Sequence, residues 1–159
     1  MTNVAGASKT VKHLTTPRIG RDRPIGDIMR EAQQRLVAHL DLALRDAGCS
    51  ELRSAHASTL ASIDTDGTRL ATLVDRGGRT KQATAQLAGH LVAYGYAELR
   101  PDPTDRRAKL YVPTASGMDL LATCERIVED YESWLDAAVG SDAVNQLRTI
   151  LLAIVEHED

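Results

Sequence analysis

The chain has no phenylalanine, and tyrosine and tryptophan bring its aromatic content to only 3% of 159 residues. Its core must therefore be filled by Leu, Ile, Val and Ala, and sequence rich in Ala and Leu favours helices. Two cysteines, Cys49 and Cys124, supply neither a disulfide framework nor metal-ligand spacing. That usage fits a reducing cytoplasm, with no metal and no cofactor expected. No apolar run approaches the roughly 20 residues that a membrane span needs. The first residues hold no apolar stretch of the secretory type. Catalytic groupings are missing as well. His56, Ser58 and Asp64 are near one another in sequence, but on a helix Ser58 projects far round from His56, and nucleophilic catalysis needs them hydrogen-bonded. Without a glycine loop that could cradle phosphate, the chain reads as a non-enzyme of one domain.

Charge is unevenly distributed. Residues 1–109 hold 17 Lys+Arg against 12 Asp+Glu, a net of +5. Residues 110–159 hold 2 against 10, a net of −8, which gives the overall −3. A basic leading part and an acidic tail point to an anionic partner met by the leading part alone.

Residues 1–23 lack periodicity and carry five cations against one acid, so they read as a flexible basic arm. From Pro24 onward Ile28, Met29, Ala32, Leu36, Leu40 and Leu44 recur at helical spacing. They predict a helix of about 22 residues closed by Gly48. A second helix is expected from Ser50 as N-cap, with Leu52, His56, Leu60 and Ile63 in line. After the turn "DTDG" come two short helices. One starts at Thr68 and stops at Gly77-Gly78; the other runs from Thr80 as N-cap to Gly95. Two helices around a glycine turn form a helix-turn-helix. "YAELR" and "KLYVP" then alternate as strands around the charged loop "PDPTDRR", which makes the unit a winged helix. Thr114 is placed to cap a long helix, Gly140 to interrupt it, and Ser141 to cap a last one. The fold class is mainly α with a small β-wing: a winged helix-turn-helix core over 50–113, flanked by helices over 24–49 and 114–159. Their apolar stripes are too long for a small winged helix to cover, which predicts a homodimer built on them.

The stretch "TRLATLVDRGGRTKQATAQLAGHLVAYGYAELRPDPTDRRAKLYVPTASG" (68–117) resembles the core of MarR-family transcriptional regulators. The matching pieces are the TKQ start of the recognition helix, "L-x-x-x-G-Y" into the wing, Asp105 and Arg107 as "D-x-R", and Thr114 with Gly117 as "T-x-x-G". Flanking helix order extends the likeness over about 24–157. Pro113 departs from the family's bulky aliphatic and is expected to end the second wing strand early. The resemblance implies a dimer with each recognition helix in a major groove and each wing at a minor groove of double-stranded DNA.

The residues support this expectation independently. On a helix begun at Thr80, an apolar line 83-87-91 leaves Lys81, Gln82, Thr84, Ala85, Gln86 and Gly89 off the buried seam. The helix N-terminus around Thr80 offers free N–H groups to phosphate. Gln82 and Gln86, one turn apart, suit adenine edges, whereas Arg79 and Lys81 suit phosphates. Arg107 is the expected minor-groove arginine, flanked by Arg106 and Lys109. Asp105 is expected to hold either the wing backbone or the arginine fork in place, and Asp102 to form the turn. The predicted function is a sequence-specific regulator on a pseudo-palindromic operator, a repressor relieved by an effector. Many family members bind a small aromatic or anionic molecule between the two lobes, and His39 and His56 are the candidates to meet it here. The alternative is a winged helix that serves as a protein-interaction module.

Overall fold

The computed structural model describes residues 23–105 and 107–157, so the basic arm before Arg23, as well as Arg106, lies outside the described residues. Among the described residues, helices and short strands follow in the order α1 (Ile25–Asp46), α2 (Ser54–Ala61), β1 (Thr68–Arg69), α3 (Leu70–Gly77), α4 (Lys81–Ala93), β2 (Ala97–Pro101), β3 (Lys109–Pro113), α5 (Ala115–Val139) and α6 (Ser141–Glu156). The fold is mainly α with a small antiparallel sheet, as expected. Among the described residues no helix is long and apolar enough to cross a membrane.

Of the described residues, those from Arg23 to Arg35 belong to one compact unit and those from Leu36 onward to another. In the first, the opening half of α1 is held by local pairs: Glu31 accepts from Arg23 and Arg35, which lowers its carboxyl pKa. Its apolar side chains Ile25, Ile28 and Met29 are exposed.

In the second unit, Leu44, Leu52, Leu60, Leu73 and Leu91 are the largest fully buried side chains. Leucine thus takes the place the missing phenylalanine would fill. Helix α2 starts at Ser54, later than a cap at Ser50 would put it. Ser54 N–H donates to the Asp41 carboxylate at 2.6 Å, and Arg53 N–H donates to His56 Nδ1 at 2.9 Å. A cap reached from another helix, and not the local Ser50, sets this boundary. Thr68 does not open α3: Thr68 and Arg69 pair with Tyr111 and Leu110 as strand β1, and α3 begins at Leu70. Gly78, at φ 58°, closes α3 in the left-handed region, the conformation the turn into α4 requires.

The sheet order is β1-β3-β2. Pro113 does not shorten β3, which pairs residue for residue with β2 through Pro113 and Ala97. Thr114 N–H donates to Tyr96 O at 3.1 Å, so the hydrogen-bonding groups of residue 113 point away from β2. A proline there loses no ladder bond. Thr114 then caps α5, accepting from Gly117 N–H at 3.1 Å while its hydroxyl donates to Gly95 O at 2.6 Å. Ser141 is the first residue of α6 and makes no cap; Gly140 holds that position.

Candidate nucleic-acid interface

Helix α4 is the second helix of the helix-turn-helix. Thr80 caps it, with its hydroxyl accepting from Ala83 N–H at 3.3 Å. Arg79, Thr80, Lys81, Gln82 and Gln86 are exposed, as is Gly89. Residues 82, 86 and 89 recur at helical spacing, so they share one outer stripe. A Cβ added at Gly89 would meet nothing within 4 Å, so the stripe is smooth and unobstructed at its C-terminal end. Of the expected line 83-87-91, Leu91 is buried, whereas Ala83 and Leu87 are only partly so and their neighbours take the inner places. Thr84, Ala88 and Leu91 are the buried positions. Thr84 is 3% exposed and its hydroxyl donates to Thr80 O at 3.1 Å, so it cannot reach a ligand. A threonine that satisfies its hydroxyl on the preceding turn packs as a small apolar residue.

At the wing, one carboxylate organises the tip. Asp102 is only 5% exposed and accepts from the hydroxyl and the N–H of Thr104, both at 2.7 Å. Arg69 Nε donates to its other oxygen at 2.6 Å, and Arg69 also reaches Thr104 Oγ1 at 3.2 Å. The Thr104 hydroxyl and N–H, then the Arg69 guanidinium, hold the Asp102 carboxyl down at about 2. Asp102 is therefore more than a turn former: it ties the wing to β1. No local pattern could reveal this, because the two partners are 33 residues apart and a two-residue strand has no periodicity to read.

Asp105 acts on the backbone. Its carboxylate accepts from Arg107 N–H at 3.0 Å, and Ala108 N–H donates to Asp105 O at 2.9 Å. Arg107 and Lys109 project from this closed turn, both exposed. Among the described residues, Arg79, Lys81, Arg107 and Lys109 enter no ion pair, whereas Arg69, Arg76 and Arg100 each do. The cations in the outward-facing set thus keep their charge available.

The two histidines stand elsewhere. His39 is exposed, its ring 5.2 Å from that of Tyr131. His56 caps α2 and stacks on His90 at 4.2 Å, and His90 stacks on Tyr94 at 4.4 Å. Burial, then the neighbouring His90 and Arg53, lower the His56 pKa, against a smaller opposing effect of Asp41. Neither histidine lines a cavity of about 590 Å³ that opens between the second half of α1, α2 and α5. Its walls include Leu40, Leu44, Ala57 and Ile127, with Cys124 and two glutamates, Glu125 and Glu129. The sequence offered no signal for that lining beyond the apolar stripes themselves.

A helix-turn-helix followed by the β2–β3 hairpin, with β1 completing the sheet, defines a winged-helix protein. The model of the MarR family matches residues 51–108, and the chain has the fold of solved structures of that family. MarR from E. coli in its apo form is 22% identical, with a TM-score of 0.70 over 83% of this chain and 97% of that one. A mutant of E. coli MarR complexed with operator DNA is 22% identical, TM-score 0.72, over 82% and 93%. CouR from Rhodococcus jostii bound to p-coumaroyl-CoA is 23% identical, TM-score 0.69, over 85% and 94%. The comparison with curated proteins gave no match. Residues 51–108 thus match the MarR-family model, and the chain as a whole shares the fold of these solved structures.

Proposed function

We propose that this chain is a homodimeric, sequence-specific reader of double-stranded DNA, a repressor released by a small effector. The carrying observation is the set of exposed cations that enter no ion pair among the described residues, Arg79 and Lys81 at the start of α4 and Arg107 and Lys109 on the wing, around the smooth stripe of Gln82, Gln86 and Gly89. Gln82 and Gln86 read base edges in the major groove. Arg79 and Lys81, with the helix N-terminus capped by Thr80, meet phosphates. Arg107 enters the minor groove, Arg106 and Lys109 flank it, and Asp105 fixes the backbone from which it projects. In this reading 50–113 binds DNA, while 24–49 and 114–159 dimerise.

The apolar surface of α6 supports dimerisation. Leu147, Ile150, Leu152, Ile154 and Val155 are each about half exposed or more, far too much contiguous apolar surface for an isolated helix in water. A two-fold partner would cover it and would place two recognition helices on half-sites about one helical turn apart. Support for DNA binding also comes from the operator complex among the structural neighbours. Support for an effector comes from CouR with p-coumaroyl-CoA and from BpsR of Bordetella bronchiseptica, whose DNA binding is described as regulated by 6-hydroxynicotinic acid. The α1/α2/α5 cavity is where an effector would sit in this chain.

The test is an anisotropy titration of the chain with duplexes from upstream of its own gene. A sequence-preferring complex is expected. Arg107→Ala should weaken it and make the salt dependence shallower by about one unit of slope. Affinity unchanged by that substitution would refute the wing's role and favour the protein-interaction reading.

A further inference from the structure

We infer that the effector cavity between α1, α2 and α5 is built for a lipophilic cation and against an anionic ligand of the kind the family resemblance implies; this rests on reading the cavity as the effector site. The walls are almost wholly apolar, and among the described residues the only charged side chains that line it are Glu125 and Glu129. No Lys, Arg or His is among the lining residues. The two glutamates are four residues apart on α5, so they share one helix face and repel each other when it is empty. Neither enters an ion pair among the described residues, unlike Glu98 and Glu132, which each accept an arginine.

The remaining polar groups supply no charge to offset the two glutamates. Ser58 spends its hydroxyl proton on Ala55 O at 3.1 Å and leaves lone pairs, not a donor, for an occupant. The Ser54 N–H is taken by the Asp41 carboxylate, so the Ser54 hydroxyl is the one neutral donor left to an occupant among the described residues. Burial, and then the nearby Cys49, push the Cys124 thiol pKa up, so that wall stays a neutral thiol. A carboxylate or phenolate entering this space would lose its hydration and find two like charges and no cation. An amine or onium group with aromatic or alkyl bulk finds apolar walls and two anions at their edge. About 590 Å³ is within the range that holds a drug-sized molecule.

The experiment pairs two ions of one shape and opposite charge, tetraphenylphosphonium and tetraphenylborate, titrated calorimetrically into the full chain without DNA. The phosphonium should bind at least tenfold tighter than the borate. The Glu125→Gln/Glu129→Gln double variant should erase that preference, and Ala61→Phe, which fills the cavity from the end of α2, should abolish phosphonium binding. Equal or stronger binding of the borate would overturn the inference, as would a preference that survives the double variant. Phosphonium binding undiminished by Ala61→Phe would place the ion on another surface, such as α6, and would overturn it too. So would loss of dimerisation in Ala61→Phe by sedimentation, since a second copy would then be the occupant. Operator affinity measured without either ion tests the DNA reading separately, so the two can fail independently.

Discussion

Two glycines in helices of this chain should respond to alanine with opposite signs. Gly89 lies mid-helix in α4, exposed, with nothing within 4 Å of an added Cβ. Replacing an exposed interior helix glycine by alanine stabilises by about 0.5–1 kcal/mol. Gly117 lies in the first turn of α5, where an added Cβ would overlap the backbone oxygen of Tyr96 and lie 3.1 Å from its carbonyl carbon. The oxygen would be far inside contact distance, and the obstacle is backbone that cannot swing aside. The same oxygen accepts the Thr114 N–H at 3.1 Å, so relief requires pulling α5 off the wing root. Overpacking costs about 1–3 kcal/mol, the strained or lost hydrogen bond about 1 kcal/mol more, and the helix propensity of alanine returns up to about 1 kcal/mol. The net for Gly117→Ala is a loss of about 1–3 kcal/mol. Urea unfolding followed by circular dichroism would measure both variants against the parent. A Gly117→Ala protein as stable as Gly89→Ala, or more stable than the parent, would show that the close approach of α5 to Tyr96 is not part of the fold.

Three further outcomes follow from the site. Asp102→Asn and Asp105→Ala each remove a negative charge beside DNA, so bare electrostatics predicts tighter binding; the anchoring of the wing by these carboxylates predicts several-fold weaker binding by anisotropy, and tightening would refute it. Thr84→Val should change operator affinity less than twofold, because Thr84 is buried, and stability by no more than about 1 kcal/mol, whereas Gln86→Ala should lower discrimination among operator variants. For His56, whose pKa is lowered in the fold, the unfolded chain takes up the proton first on acidification. Stability is therefore complete above the unfolded histidine value near 6.5 and declines as pH falls below it toward the folded value. Thermal melts between pH 7.5 and 5 should show this decline, and His56→Gln, which keeps an acceptor for the Arg53 N–H, should flatten it.

What is legible in the sequence is local. The span of α1 between Pro24 and Gly48 shows because apolar residues repeat along its whole length, and Thr80 and Thr114 show because a cap bonds its own helix. What is hidden depends on partners distant in the chain. The true start of α2 hangs on Asp41, thirteen residues before Ser54. Strand β1 exists only because β3 comes back beside it. The α4 seam is obscured because periodicity counts Thr84 as polar, while its hydroxyl is satisfied within the helix and leaves a methyl to pack. His56 falls on an apolar line and so reads as a ligand group, but its ring nitrogen is used by the backbone of Arg53.

The same distinction explains the acids of the wing. In sequence, Asp102 and Asp105 alternate with cations and resemble partial neutralisation of a basic patch. In the fold they serve different partners from Arg107, the arginine proposed to face DNA. Asp102 neutralises Arg69, on another strand, and Asp105 is engaged with backbone N–H. Neither pairs with Arg107, whose charge stays whole while the turn beneath it is fixed from two sides. A flexible tip with the same net charge would still attract phosphate, but it would lose more conformational entropy on docking and hold the guanidinium in no set direction. The acids therefore matter for where the arginine points, and swapping both for glutamine should reduce affinity more for the preferred operator than for random duplex. An equal loss on both duplexes would mean that the carboxylates tune only the overall charge.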